Sequence, residues 1–344
     1  MIGNSRLQTA LKIALPLLLG GAILYWMYRG FDFSQVRQVV LHEMDWTWML
    51  LSFPFGILAM ALRGWRWRQT LAPVMSDDTA GGDSRAAGSA NSPRNSVTVN
   101  SIFLSYAASL VVPRIGEFTR CAVVKRWEGV SFTRALGTVV TERMVDMLLM
   151  LLIVGLTLLL EMSTFGTFFR QTGTTLSGIL SGFSWAGWLV TAICLVAMAI
   201  LFYVLLRHLK IYNKVKTTVS DMWQGVTSLR SVSNVWLFLL MTVAIWVCYF
   251  LHYYLTFFCF DFTRHLSLSA ALVTFVVGSI AVIVPTPNGA GPWHFAVKTM
   301  LILYGVADSQ ALYFVLIVHT VQTLLVVLLG IYAWLRLSFI MRNS

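Results

Sequence analysis

Three clusters of ionisable residues lie within or beside long apolar runs, and their spacing suggests chemistry. The first is Pro113-Arg114-Ile115-Gly116-Glu117-Phe118-Thr119-Arg120. Pro113 and Gly116 suit a sharp turn that opens a helix, and Glu117 and Arg120, three apart, would share a helix face. A helix N-terminus inside a membrane presents free N–H groups and partial positive charge to an anion. Arg114 and Arg120 would add bidentate contacts to a phosphate. The same spacing equally serves a Glu117–Arg120 ion pair that merely holds a hairpin together.

The second cluster is Thr141-Glu142-Arg143-Met144-Val145-Asp146. Glu142 and Asp146 are one turn apart, and at 1.5 Å per residue they sit roughly 12–18 Å past Arg134. Carboxylates at that depth cost at least about 2.5 kcal/mol each unless paired or hydrated. They are either a neutralised packing cluster, with Arg143 or Arg120 as partner, or a polar path that carries protons or holds a cationic group. The third cluster is Asn288-Gly289-Ala290-Gly291-Pro292-Trp293-His294, with Lys298 one turn beyond His294. A Gly-rich turn entering a short helix suits a phosphate cradle, and suits equally a loop that needs small residues. His294 could titrate near neutral pH; His252 and His319 read as ordinary hydrogen-bonded histidines.

These residues must be positioned by membrane helices. Hydrophobic residues make up 58% of the 344-residue chain and charged ones only 11%, against roughly 25% charged in a soluble domain. Apolar runs cover approximately 12–28, 47–62, 98–112, 135–160, 186–206, 234–258, 267–284 and 309–335, with a weaker one at 293–305. The expected fold is therefore all-α and polytopic, a single transmembrane domain over 1–344. The first run reads as a retained span. The net charge of +11 does not indicate nucleic-acid binding, because the basic residues cap apolar runs; positive-inside bias and anionic lipid explain them better. Cys121, Cys194, Cys248 and Cys259 have no metal-ligand spacing. With no Walker A, HExxH, nucleophile elbow or catalytic dyad, neither an enzyme nor a cofactor is expected.

Residues 76–96 are Ser, Gly, Ala, Asp, Asn and Arg with little apolar content, which predicts a flexible cytoplasmic loop. Within 208–232, Ile211, Val215, Met222, Val226 and Leu229 recur at helical spacing beside Lys210, Lys214, Lys216 and Arg230, which predicts an interfacial amphipathic helix. The run at 98–126 is broken at Val112-Pro113-Arg114-Ile115-Gly116, and that at 267–305 by Pro285-Thr286-Pro287-Asn288-Gly289-Ala290-Gly291-Pro292. Both are expected as re-entrant hairpins, giving about six full spans plus two hairpins. With both termini cytoplasmic, Lys and Arg concentrate inside, Arg63, Arg66 and Arg68 among them. Each half, 12–160 and 186–335, then reads span, span, broken hairpin, span, which predicts an inverted repeat. Irregular backbone cannot face lipid, so the two breaks should face protein or a polar cavity.

With these motifs in place, the chain resembles the lysylphosphatidylglycerol synthase transmembrane region, or flippase-like domain family, over roughly 15–335. The resemblance rests on Pro113, Gly116, Glu117 and Arg120, then Glu142, Arg143 and Asp146, then Pro285 or Pro287 with Gly289 and Gly291. The family often has Glu where this chain has His294. The soluble aminoacyl-transferase domain of full-length synthases has no counterpart in these 344 residues. The resemblance implies a flippase-like module in a bacterial inner membrane. The expected function is translocation of an anionic or phosphate-bearing lipid. Its substrate-binding residues would be Arg114, Glu117, Arg120, Glu142, Arg143, Asp146, Asn288, Gly289, Gly291, His294 and Lys298. A small-solute or ion transporter on the same scaffold is one alternative; an accessory scaffold for an envelope-lipid or glycan enzyme is another.

Overall fold

The computed structural model describes residues 18, 20–29, 34–80, 92–162, 232 and 234–342. The run at 186–206, Cys194, most of the expected amphipathic helix at 208–232 and much of the first run lie outside these residues. Among the described residues the protein is helical, with no strand.

Helix α1 covers 20–28. A short α2, Ser34–Gln38, runs into a π-helical turn, Val39–Glu43. Then follow α3 (Trp46–Ala80), α4 (Asn95–Val111), α5 (Ile115–Glu128) and α6 (Phe132–Leu160). After the gap come α7 (Val235–Tyr254), extended by a 3-10 turn to Cys259, the short α8 (Asp261–Arg264), α9 (Leu268–Ala281), α10 (Pro292–Leu303) and α11 (Asp308–Arg342). Four of the helices are long and apolar enough to cross a bilayer: Trp46–Met75, Phe132–Leu160, Val235–Cys259 and Asp308–Phe339. Their outward faces are unpaired Leu, Met and Ile, as on α6, where Met147, Leu148, Leu151 and Leu152 are exposed. A face of this kind suits lipid, whose tails are as apolar as Leu.

Local chemistry sets the helix starts. Asn234 accepts a hydrogen bond from the Leu237 amide and Ser267 from that of Ala270, so α7 and α9 begin at side-chain caps. Both broken runs form helical hairpins, α4 packing on α5 and α9 on α10. The first turns where Arg114 adopts φ 63°, and the second where Asn288 adopts φ 52°. Gly116 lets α5 lie against α4, since a Cβ there would run into the Ser105 carbonyl and the Ser109 hydroxyl. Between the hairpins, α3 packs along α7, α4 along α11 and α6 against α9. One apolar core, around Trp67, Leu71, Ile102 and Phe103, lies among the N-terminal helices. A second, rich in Phe257, Phe260 and Phe314, lies among the C-terminal ones.

Two expectations change. Helix α3 does not end with its apolar run at residue 62 but continues to Ala80. Of the predicted loop at 76–96, residues 76–80 are helical and α4 begins at Asn95, while 81–91 lie outside the described residues. Arg68 ties down its far side, donating to the Pro93 carbonyl at 2.7 Å and the Ser92 hydroxyl at 2.6 Å.

Candidate functional site

The continuation of α3 changes the role of two arginines. Arg63 and Arg66 read as cytoplasmic anchors, yet both are buried, Arg66 completely. They are three apart on α3 and face Glu142 and Asp146, four apart on α6, so one turn of each helix matches the other. Arg63 pairs with Asp146. Arg66 reaches Asp146 Oδ1 at 2.6 Å, Glu142 Oε1 at 3.3 Å and the Thr242 hydroxyl of α7 at 3.0 Å. Arg120 of α5 closes on Glu142 Oε2 at 2.7 Å, with its guanidinium 4.7 Å from the Trp67 ring centroid. The side chains of Arg66, Arg120, Glu142 and Asp146 are all less than a tenth exposed. In a low-dielectric interior such a set persists only if the charges balance closely and the geometry is good.

Glu117 and Arg120 therefore do not pair with each other. Glu117 turns instead to Arg143, Oε1 to Nε 2.6 Å, in a half-exposed pair between α5 and α6. On the inner side, Arg63 donates to the Tyr106 hydroxyl at 2.5 Å, and Tyr106 and Tyr249 share a hydrogen bond of 2.6 Å. The two tyrosines are functional candidates that the sequence did not single out.

The arginines and the two hairpin turns surround one cavity of 560 Å³. Arg63, Arg114, Glu117, Arg120 and Arg143 line one side, and Asn288 and Gly289 the other. The hairpin tips meet there: Arg114 donates to the Ile283 carbonyl at 3.2 Å. Around this space five guanidiniums (Arg63, Arg66, Arg114, Arg120 and Arg143) face three carboxylates (Glu117, Glu142 and Asp146). Two positive charges are thus in excess among the described residues. Arg63 Nε, Arg120 Nη2, Trp246 Nε1 and Thr286 Oγ1 are buried without a hydrogen-bond partner among those residues, and all four side chains line the cavity.

Glu142 and Asp146 stand behind the cavity wall, balancing the arginines that form it. The other expected site residues are placed differently. The amide of Ile115 donates to the Val112 carbonyl, that of Gly116 to the Ser109 hydroxyl, and that of Glu117 to the Arg114 carbonyl. The start of α5 is therefore not a set of free N–H groups awaiting an anion. The Gly-rich turn is equally self-satisfied. Gly289 donates to Thr286, Ala290 to Pro287, and Gly291 to Nδ1 of His294. Gly291, at φ 92°, is needed because α1 crosses there; a Cβ would come 3.0 Å from the Gly20 carbonyl. In this turn the amides of Gly289, Ala290 and Gly291 are taken up locally, and the glycines let it pack closely against α1.

His294 is buried off the cavity, its ring centroid 4.4 Å from that of His319. Lys298 is engaged with Asp308 at 2.8 Å, where α10 meets α11. His252 and His319 are hydrogen-bonded to the carbonyls of Ser52 and Asn288, as expected. Cys121, Cys248 and Cys259 are buried free thiols. Among the described residues no group of His, Cys, Asp and Glu is arranged to hold a metal.

No curated protein and no solved structure matches the chain. A family model does match: that of the lysylphosphatidylglycerol synthase TM region aligns with residues 13–330. It therefore spans both hairpins and the ion network between them, and the chain belongs to that family of polytopic membrane proteins.

Proposed function

We propose that the protein is a flippase-like transporter that moves an anionic, phosphate-bearing lipid between leaflets. The observation that carries this reading is the contrast between the cavity's interior and its mouth. Inside, arginine charge is in excess. Beside the two hairpin turns large apolar side chains are exposed: Val111 is 70% exposed, Phe118 49% and Ile283, which lines the cavity, 65%. A lipid matches both, with its phosphate among the guanidiniums and its acyl chains passing out between the tips into the bilayer. A soluble anion would use the arginines but has no need of an apolar opening.

In this reading Arg114, Arg120 and Arg143 contact the phosphate, and Glu117 holds Arg143 when the cavity is empty. Glu142 and Asp146 keep the buried arginines in place. Two oppositely oriented halves, each with a broken hairpin, would expose the cavity to the two leaflets in turn. Several contacts of one half have a counterpart in the other, α4 on α11 beside α9 on α6, and α3 on α4 beside α7 on α9. This correspondence supports the repeat. The setting is a bacterial cytoplasmic membrane with both termini cytoplasmic.

The test is purified protein in liposomes carrying labelled lipids. Leaflet exchange should accelerate over protein-free liposomes, and Arg120→Ala should abolish the gain. No acceleration with any of several headgroups would overturn the reading. Full retention of the protein's cellular function in an Arg120→Ala, Glu142→Ala double variant would favour the scaffold alternative.

A further inference from the structure

The second wall of the cavity carries no acid, lysine or arginine: the lining residues from α7 to α11 and the turn at 282–291 include no Asp, Glu, Lys or Arg. It does carry histidines, and one is placed unlike the rest. Nε2 of His319, on α11, lies 3.1 Å from the Asn288 carbonyl oxygen and 3.4 Å from the Asn288 side-chain Nδ2. A ring nitrogen that holds a hydrogen donates to the first; a bare one accepts from the second. Nε2 therefore has a partner with or without a proton. Asn288 Nδ2 keeps a partner throughout, since it also donates to the Thr323 hydroxyl at 2.7 Å. The other two histidines nearby lack this choice. His294 accepts the Gly291 amide on Nδ1 at 3.4 Å, so a proton there would cost the turn that bond. His252 holds Nδ1 2.8 Å from the Ser52 carbonyl, which requires an N–H, and a Cβ on Gly56 would come 3.0 Å from its Nε2, so that nitrogen faces α3.

We propose that His319 is a proton-binding site and that a proton crosses the membrane together with the anion. The inference rests on the lipid reading above. Around the His319 ring stand His294 and Trp293 of α10 and Asn288 of the turn. Tyr28 of α1 packs edge-on against His294, and Lys298, the next charge on α10, is paired with Asp308. Across the cavity are Arg63, Arg114, Arg120 and Arg143, with Glu117 committed to Arg143. The remaining titratable groups of the lining are His252 and the phenols of Tyr106, Tyr249 and Tyr253. No carboxylate faces His319, so the empty cavity opposes a proton there with two excess guanidinium charges, in a medium that screens poorly. A lipid phosphate reduces that excess, and the ring can then hold its proton. Such coupling is reciprocal: the anion favours the proton as much as the proton favours the anion. Only an N–H bond forms and breaks. Water on one side of the membrane supplies the proton, and water on the other side takes it back when the anion leaves. A negative and a positive charge move together, so the membrane potential does not drive the movement and a pH gradient does.

The test uses the full-length protein in liposomes holding acyl-chain-labelled phosphatidylglycerol, with the membrane potential clamped at zero. A pH gradient of about one unit should gather the label about tenfold in the leaflet facing the alkaline side, the equilibrium ratio for one proton per lipid. His319→Gln keeps an N–H for the Asn288 carbonyl and removes the titrating ring, and with it the label should spread evenly. The ratio is an equilibrium quantity, so a variant that exchanges lipid slowly still reports it. A second measurement needs no variant: adding phosphatidylglycerol to the wild-type protein in weakly buffered detergent near neutral pH should produce proton uptake, read by an indicator dye. Even labelling by the wild-type protein under the gradient, absence of proton uptake, or undiminished accumulation by His319→Gln would overturn the proton assignment and leave the lipid reading standing. No lipid exchange by the wild-type protein would remove both.

Discussion

The two broken hairpins follow one backbone plan and carry opposite chemistry. In each, a helix ends at a Pro-containing turn, a non-glycine residue takes a left-handed conformation, and a shorter helix returns alongside. After the first turn come Glu117 and Arg120, both tied into an ion network that reaches α3 and α6. After the second come Trp293 and His294, packed against His319. The backbone plan makes the hollow, and side chains added separately to each copy decide what the hollow holds. With charge on one wall and neutral polar groups on the other, the cavity gives an occupant a head and a tail.

The comparison can be broken most sharply at the first wall. Glu142→Ala would leave Arg120 without its carboxylate and Arg66 with Asp146 alone, and removing one member of a buried ion set costs about 3–5 kcal/mol. Thermal unfolding of the purified protein should show a large fall in midpoint. Arg120→Leu together with Glu142→Leu should lose less than the two single changes added, because no charge is left unpaired. An unaltered midpoint for Glu142→Ala would mean that the first wall is not held by its charge balance.

The glycines of the two hairpins give a smaller contrast. Gly116→Ala drives a Cβ into the α4 backbone at Ser105, whereas at Gly278 the nearest atom is the Trp293 indole nitrogen at 2.9 Å. Overpacking against fixed backbone should cost about 1–3 kcal/mol. A ring can rotate away, so Gly278→Ala should lower the midpoint less. The reverse order would show that the second hairpin is the more rigid one.

Arg114→Gly separates strain from contact. It relieves a left-handed arginine, worth about 1 kcal/mol, while losing the bond to Ile283 and a cavity charge. The midpoint should hold or rise as leaflet exchange slows. The smallest effect belongs to Glu117→Gln. Its half-exposed pair with Arg143 should be worth about 1 kcal/mol or less to stability, so a change in exchange rate without a change in midpoint is the expected signature.

Much of this was legible before any coordinates. Composition and apolar runs indicated the helices, and the Pro/Gly interruptions at 112–116 and 285–292 indicated the hairpins that frame the cavity. The misreading of Arg63 and Arg66 has a physical origin. Basic residues just after an apolar run look like interfacial anchors, and their partners lie some eighty residues away on another helix. The complementary spacing was the available signal, three apart for the arginines and four apart for Glu142 and Asp146. Tyr106 and Tyr249 left no such trace, since a tyrosine in an apolar run is ordinary until its hydroxyl finds a partner across the bundle. The glycines of the second turn misled because close backbone packing and anion cradling require the same small residues. Only the direction in which the amides donate separates the two.

The hydrogen bond from Arg114 to the Ile283 carbonyl joins two loops that lie far apart in the chain. Neither tip can swing outward without breaking that bond or pulling its counterpart along. Two local interruptions thus behave as one latch, and the guanidinium that fastens it is also one of the charges offered to whatever arrives. An anion that draws Arg114 toward itself would loosen the fastening in the same movement.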